Sequence, residues 1–158
     1  MNTRYPYLPE GRTISYVPAG DPFMKEATRV RNECSTDANH STGAVIVEKG
    51  MVIGRGANQS AIKNKKLLER HKNGLCVRKF FHIPSGKKYW LCPGCASPRH
   101  HAESRAVQDA LSRRASIAGA DLYLYGHWWC CKPCWDAMIG AGIRNVYLAD
   151  GADALFKK

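Results

Sequence analysis

The stretch RHHAESRA, residues 99–106, places two adjacent histidines ahead of a glutamate at the start of a predicted helix. That helix covers HAESRAVQDALSRRA, with alanines and one leucine recurring near one face. A buried helix face does not require His-x-Glu in its first turn. His101 and Glu103 therefore indicate a chemical site whose other members lie elsewhere in the chain.

The spacing of the cysteines supplies those members. The chain has seven cysteines, among them two C-x-x-C pairs, Cys92–Cys95 and Cys131–Cys134. In a reducing compartment such pairs are more typical of zinc sites than of disulfides. The second pair lies at the start of a predicted helix, as His101 does, so these side chains can converge if both helices begin on the same side of a sheet.

One nitrogen and two sulfur ligands leave a fourth zinc position open, which is typical of a catalytic rather than a structural site. Water bound there loses a proton near neutral pH and becomes a nucleophile. Glu103 is then more useful as a proton shuttle than as a ligand. We expect a catalytic zinc held by His101, Cys131 and Cys134, with Glu103 as the catalytic acid and base.

Charge and composition indicate the class of ligand and the setting. The chain of 158 residues carries 24 Lys and Arg against 13 Asp and Glu, a net charge of +11. This excess favours a nucleotide or nucleic acid, although a merely basic surface is the alternative. The chain has no apolar run long enough for a membrane span, and its first twenty residues lack the apolar core of a secretion signal. We expect a cytoplasmic protein.

Helical and strand patterns alternate along the chain. The order is a helix over residues 21–34, a hairpin within residues 43–58, the helix at 101–115, then a strand, a helix and a strand. This order predicts an α/β fold, a three-layer α/β/α sandwich around a mixed sheet. Residues 1–20 are expected to form an extended arm, and residues 21–158 a single domain with a Cys-rich insertion at about 59–99.

Several stretches resemble a known family. HAE at 101–103, CCKPC at 130–134, the hairpin STGAVIVEKGMVIGRGAN and the segment AMIGAGIRNVYL are similar to the zinc-dependent cytidine and deoxycytidylate deaminase superfamily, most of all to its deoxycytidylate (dCMP) branch. The resemblance covers roughly residues 21–150. It implies a cytidine deaminase-like fold and a nucleotide deaminase that converts dCMP to dUMP and ammonia, by attack of zinc-bound hydroxide on C4 with Glu103 as proton shuttle.

The chain departs from the family pattern at three places. Cys130 stands where the family usually has proline, and Arg105 stands where the dCMP branch often has asparagine. The chain also ends soon after its last predicted strand, so a fifth strand is expected to be short or absent. The first two departures leave the zinc chemistry intact but affect the substrate.

Four cysteines remain outside the catalytic set. The resemblance implies a second, structural zinc, for which the expected ligands are Cys34, Cys76, Cys92 and Cys95. His82 or His100 could replace one thiol, and Cys34 could instead be an ordinary buried cysteine. The odd thiol, Cys130, is expected to be structural.

Substrate contacts are expected at five positions. The resemblance places Asn58 against the sugar or base edge, and arginine is the better partner for a phosphate. Trp129 could form a wall for the base, or an ordinary core contact. The expected substrate-binding residues are Asn58, Ala102, Arg105, Arg55 and Trp129.

Three functions are compatible with these patterns. The first is deamination of a small cytosine nucleotide, and the second is deamination of a cytosine or adenine base within RNA or single-stranded DNA. The third is a zinc protein without activity, which Glu103 argues against because a structural site has no use for it. The expected partners are a cytosine nucleotide, zinc and further copies of the chain in a homo-oligomer, with nucleic acid as the alternative and no membrane.

Overall fold

A five-stranded mixed sheet forms the centre of the computed structural model, which describes residues 3–37, 40–84 and 86–157. The first two residues of the expected N-terminal arm and Lys158 lie outside these ranges. The strand order is β1-β5-β4-β2-β3; β1, β5 and β4 run parallel, and β2 runs antiparallel to both β4 and β3. The strands are β1 (Ile14–Val17), β2 (Gly43–Glu48), β3 (Met51–Ala57), β4 (Asp121–Tyr125) and β5 (Val146–Ala149).

Helices cover both faces of this sheet, which confirms the predicted three-layer sandwich. On one face, α1 buries Met24, Ala27 and Val30 against residues of β2 and β4. Asp21 caps α1, because its Oδ1 accepts hydrogen bonds from the backbone N–H groups of residues 23 and 24. The helices are α1 (Pro22–Cys34), α2 (Lys65–Lys72), α3 (Val77–Phe80), α4 (Ala102–Arg113), α5 (Lys132–Gly140) and α6 (Ala152–Phe156).

On the other face, α4 and α5 pack on the sheet and bring their first residues close together. A Cβ placed on Gly56 of β3 would lie 2.3 Å from the backbone nitrogen of Ala106 and 2.4 Å from the carbonyl oxygen of Ala102. Only glycine at this position lets α4 approach the strand so closely. Gly56, together with Gly54 of the same strand, thus sets how closely α4 packs on β3.

The N-terminal arm contributes a strand that the sequence pattern did not predict. Residues 14–17 pair in parallel with β5 and occupy the edge of the sheet as β1. After β5 the described chain forms α6 and no further strand. The sheet therefore has a fifth strand, contrary to expectation, and it comes from the N-terminal side of the chain.

The segment expected to be an insertion, at about residues 59–99, contains α2, α3 and two short 3-10 turns at Tyr89–Leu91 and Pro98–His100. Arg78 holds its loops together, since its guanidinium donates to the carbonyl oxygens of Lys87 at 3.0 Å and Pro84 at 2.9 Å. None of the described helices combines the length and the apolar composition needed to cross a lipid bilayer.

Candidate active site

The starts of α4 and α5 bring together the three predicted zinc ligands. His101 immediately precedes α4 and Cys131 immediately precedes α5. The Nδ1 atom of His101 lies 3.5 Å from the Sγ atoms of both Cys131 and Cys134, and the two sulfurs lie 3.3 Å apart. Tetrahedral zinc would place nitrogen and sulfur ligands about 3.5 Å apart and two sulfurs about 3.8 Å apart. The donor set therefore fits zinc.

The other ring nitrogen of His101 is occupied in a way that suits metal binding. Its Nε2 donates to the carbonyl oxygen of Ala96 at 3.2 Å. This bond leaves Nδ1 as the unprotonated nitrogen that faces the two thiols. Ala96 follows Cys95, so the insertion fixes the orientation of the histidine.

The surroundings of these two cysteines favour the thiolate form of Cys131. The hydrogen bond between the two sulfurs, reinforced by His101, lowers the pKa of Cys131 to about 5, while the same bond and burial raise the pKa of Cys134. The hydroxyl of Ser104 lies 3.7 Å from the sulfur of Cys134. Because thiolates rather than thiols bind zinc, this environment favours a bound metal.

Glu103 lies in the first turn of α4, with 5 % of its surface exposed, and lines the same pocket as the cluster. Burial raises the pKa of its carboxyl above the ordinary value, and His101 opposes this rise. The fully buried thiol of Cys130 is hydrogen-bonded to the carboxyl. A carboxyl held in this way can accept and return a proton.

Asn58 forms part of the pocket wall at the end of β3. Its Oδ1 accepts hydrogen bonds from the backbone N–H of Thr42 at 2.9 Å and the hydroxyl of Ser35 at 2.5 Å. Its Nδ2 donates to the carbonyl oxygen of His40 at 2.5 Å. An amide nitrogen has two hydrogens, so one remains for a ligand.

His127 also lines the pocket, in a fixed tautomer. Its Nδ1 accepts the backbone N–H groups of Trp128 at 3.0 Å and Trp129 at 3.2 Å, so a neutral ring carries its proton on Nε2. Burial, together with His40 and His101, lowers the pKa of His127 to about 4. The ring of Trp129 packs edge to face on His127 at 5.1 Å and lies in the wall of the pocket, as expected.

The arginines predicted to bind phosphate lie elsewhere. Arg55 pairs with Glu26 through a 2.8 Å contact, and both Arg55 and Arg105 line a separate groove that also contains Cys34. Residues that are close in sequence can project from different faces of a helix. Arg105 is therefore near Glu103 in sequence but lines a different groove. The cations that do line the pocket are Arg78 and Lys79 of the insertion, and the side chain of Ala102 is buried in the core.

A second cluster of donors lies in the insertion. It contains His71, Cys76, Cys92 and Cys95, and the sulfurs of Cys76 and Cys95 lie 3.7 Å apart. The Nε2 of His71 lies 3.6 Å from the Cys95 sulfur, while its Nδ1 is buried without a hydrogen-bond partner among the described residues. Four such donors at these distances fit a closed tetrahedral metal site.

The composition of this cluster corrects the prediction for Cys34. That cysteine is exposed at the end of α1, and its carbonyl accepts a hydrogen bond from Gln59. His71 completes the cluster instead, and neither His82 nor His100 belongs to it. His71 escaped the sequence analysis because it is placed by α2 and by close packing: a Cβ on Gly94 would lie 2.1 Å from its ring. The only indication of this ligand in the sequence is that His71 lies five residues before Cys76.

Comparison with known families identifies the class of enzyme-like domain to which this chain belongs. Residues 20–150 match the family described as the cytidine and deoxycytidylate deaminase zinc-binding region. The chain belongs to this family of zinc-dependent deaminases. No curated protein matches the sequence.

Several proteins of known structure have a similar backbone course, and their names indicate different substrates. A dCMP deaminase from the cyanophage S-TIM5 is 20% identical, with a TM-score of 0.49 over 85% of this chain and 86% of that one. A guanine deaminase from Bacillus subtilis is 22% identical, with a TM-score of 0.47 over 85% and 68%. A diaminohydroxyphosphoribosylaminopyrimidine deaminase/5-amino-6-(5-phosphoribosylamino)uracil reductase from Thermotoga maritima is 23% identical, with a TM-score of 0.48 over 80% of this chain. The chain spans only 28% of the length of that protein.

Proposed function

We propose that the protein hydrolyses the exocyclic amine of a cytosine nucleotide, with dCMP as the substrate and dUMP and ammonia as the products. One observation carries the proposal: a cluster of His101, Cys131 and Cys134 shares its pocket with the buried carboxyl of Glu103. A structural zinc site requires no such carboxyl, whereas a hydrolytic one requires a group that moves protons.

The reaction assigns a role to each part of the pocket. When bound, zinc supplies an activated water nucleophile near neutral pH. Glu103 would carry both protons of the attacking water in turn, the first to N3 of the base and the second, from the new C4 hydroxyl, to the departing amine. The C4–O bond forms, the C4–N4 bond breaks, and ammonia leaves, so Glu103 ends in the protonation state in which it began.

Three residues of the wall are suited to holding a flat, polar base. The remaining N–H of Asn58 and the Nε2–H of His127 are donors that face acceptor atoms of the substrate. Trp129 offers an apolar face against which a ring can stack. Lys79, exposed at the same pocket, replaces the two arginines as the proposed phosphate contact.

A second candidate is deamination of a base within single-stranded nucleic acid. It is favoured by the charge of the insertion, because residues 59–99 contain ten Lys and Arg and only one acidic residue. Lys79, Arg78 and Tyr89 of this segment line the pocket, so a strand bound there would pass close to the zinc cluster.

Ammonia release from deoxycytidine, dCMP, its triphosphate and a cytosine-containing oligonucleotide tests both candidates. We expect turnover of dCMP in the wild type and in the control variant Glu10→Gln, which changes an exposed glutamate. Glu103→Gln should lower turnover by roughly a hundredfold to ten-thousandfold with zinc content unchanged. Loss of zinc in Glu103→Gln, or no ammonia from any cytosine substrate, would contradict the proposal.

A further inference from the structure

We infer that the insertion presents a binding surface for single-stranded nucleic acid beside the mouth of the active-site pocket. This insertion surface comprises the exposed cations and aromatic side chains of residues 59–99. The inference rests on the second candidate function, deamination of a base within single-stranded nucleic acid. It uses the pocket only to say where the surface lies. Binding of a strand does not require deamination, so the binding surface and the proposed deaminase activity can be tested independently.

Charge is concentrated in this one segment. Residues 59–99 contain ten Lys and Arg and a single acidic residue, Glu69, a net charge of +9 out of +11 for the whole chain. Arg78 is buried, and the other nine cations are exposed. The nine are Lys63, Lys65, Lys66, Arg70, Lys72, Lys79, Lys87, Lys88 and Arg99.

The ion pairs found among the described residues do not include these cations. Seven ion pairs join described residues, and all seven lie outside residues 59–99. The body of the domain therefore neutralises its own charge, whereas the insertion does not. A segment with nine unneutralised cations is suited to an extended anionic partner.

Aromatic side chains are exposed on the same segment. Phe80, Phe81 and Trp90 are 75%, 64% and 79% exposed. Phe80 follows Lys79 and Trp90 follows Tyr89, and both of these neighbours line the active-site pocket. The exposed rings therefore belong to the same turns that supply pocket-lining side chains, and they are free to stack on the bases of a strand.

The combination favours a single strand over other anionic partners. A duplex hides the faces of its bases, so it would leave the exposed rings without a stacking partner. A second copy of the chain would bring a surface of charge +9 against its like, which is repulsive. An anionic membrane would engage lysines and aromatic rings, but it has no bases to stack on those rings.

Fluorescence anisotropy with labelled strands of about twenty nucleotides tests the inference. The strands are oligothymidylate and oligouridylate, which contain no cytosine, so binding is measured without turnover. Trp90→Ala and Phe80→Ala should each weaken binding about tenfold, because stacking of one base is lost. Tyr16→Ala, which removes an exposed ring from β1, is the matched control and should leave binding unchanged.

Salt dependence separates the charge contribution. Replacing Lys87 and Lys88 together by glutamine should reduce the slope of log affinity against log salt by about 1.4, if each lysine neutralises one phosphate. Lys25→Gln on α1 is the control for loss of an exposed lysine. None of these variants should alter the turnover of dCMP.

Several results would overturn the inference. These are absence of binding to both strands at low salt, equal effects of Trp90→Ala and Tyr16→Ala, tighter binding to a duplex, and binding to vesicles of anionic lipid in place of oligonucleotides. Loss of dCMP turnover with strand binding intact would instead contradict the proposed function and leave this inference standing.

Discussion

Cys130 precedes the proposed zinc ligand Cys131 in sequence and gives Glu103 a hydrogen-bond partner. Its thiol is fully buried and bonded to the carboxyl that is proposed to carry protons. We expect Cys130→Ala to lower kcat about tenfold, since a bond to a charged group contributes about 1.5 kcal/mol or more. KM should change less, because the thiol does not contact the substrate.

Cys130→Ser is the control, because a hydroxyl can keep the hydrogen bond that alanine removes. Steady-state kinetics should therefore show partial recovery of kcat in the serine variant. Equal losses in the alanine and serine variants would show that the thiol acts only through packing.

His127 provides a prediction about pH. Its pKa is lowered from 6.5 to about 4 in the folded protein. Between these values the unfolded chain binds a proton that the folded chain does not, so stability falls as the pH drops from about 6.5 towards about 4. Between pH 7 and pH 5, wild type should lose up to about 2 kcal/mol more unfolding free energy than His127→Gln.

Urea unfolding at both pH values measures this difference. His82→Gln, at an exposed histidine, should keep the pH dependence of wild type. An unchanged pH dependence in His127→Gln would show that folding does not lower the pKa of His127.

At the scale of single residues, the sequence indicates those that belong to local motifs. His101 and Glu103 share one helix turn, and Cys131 and Cys134 share another, so their spacing alone predicts that they act together. His127, Lys79 and Tyr89 reach the pocket from three separate segments. No local pattern marks them, because only tertiary packing brings them together.

At the scale of elements, the metal cluster of the insertion can be tested against the prediction it replaced. His71→Ala should lower the zinc content by one ion per chain and lower the melting temperature, because a closed site contributes to folding directly. Cys34→Ser should change neither, since Cys34 lies outside the cluster. Metal analysis and thermal unfolding of the two variants are the measurements.

The reverse pattern, with Cys34→Ser losing metal and His71→Ala keeping it, would restore the four-thiol site. A loss of zinc in both variants would indicate that α1 and the insertion share the metal.

The elements with strong periodicity are those that the sequence predicts. The helices α1, α4 and α5 and the strands β2 to β5 lie where the pattern of apolar residues places them. The strand β1 was missed because its four residues, between proline- and glycine-rich segments, become a strand only by pairing with β5. The helices of the insertion were missed because their outer faces are cationic and carry no apolar stripe.

At the scale of the whole molecule, the two clusters predict two zinc ions per purified chain. Both donor sets have distances close to those of tetrahedral zinc, and four of the seven ligands come from the two C-x-x-C pairs. Elemental analysis of protein purified without chelators should give close to two zinc ions per chain. A value of one that persists after incubation with zinc would show that one cluster does not bind the metal.

The backbone of one residue, Ala96, links the two metal-binding clusters. Ala96 accepts a hydrogen bond from the active-site ligand His101, donates one to Asp37, and is bonded to Cys95 of the other cluster. A metal ion that escapes from the insertion therefore releases the carbonyl that steers the histidine, even while the reacting centre is still loaded. In a sample stored with a chelator, activity should therefore fall faster than zinc content. Loss of the first of the two ions should already remove most of the catalytic activity.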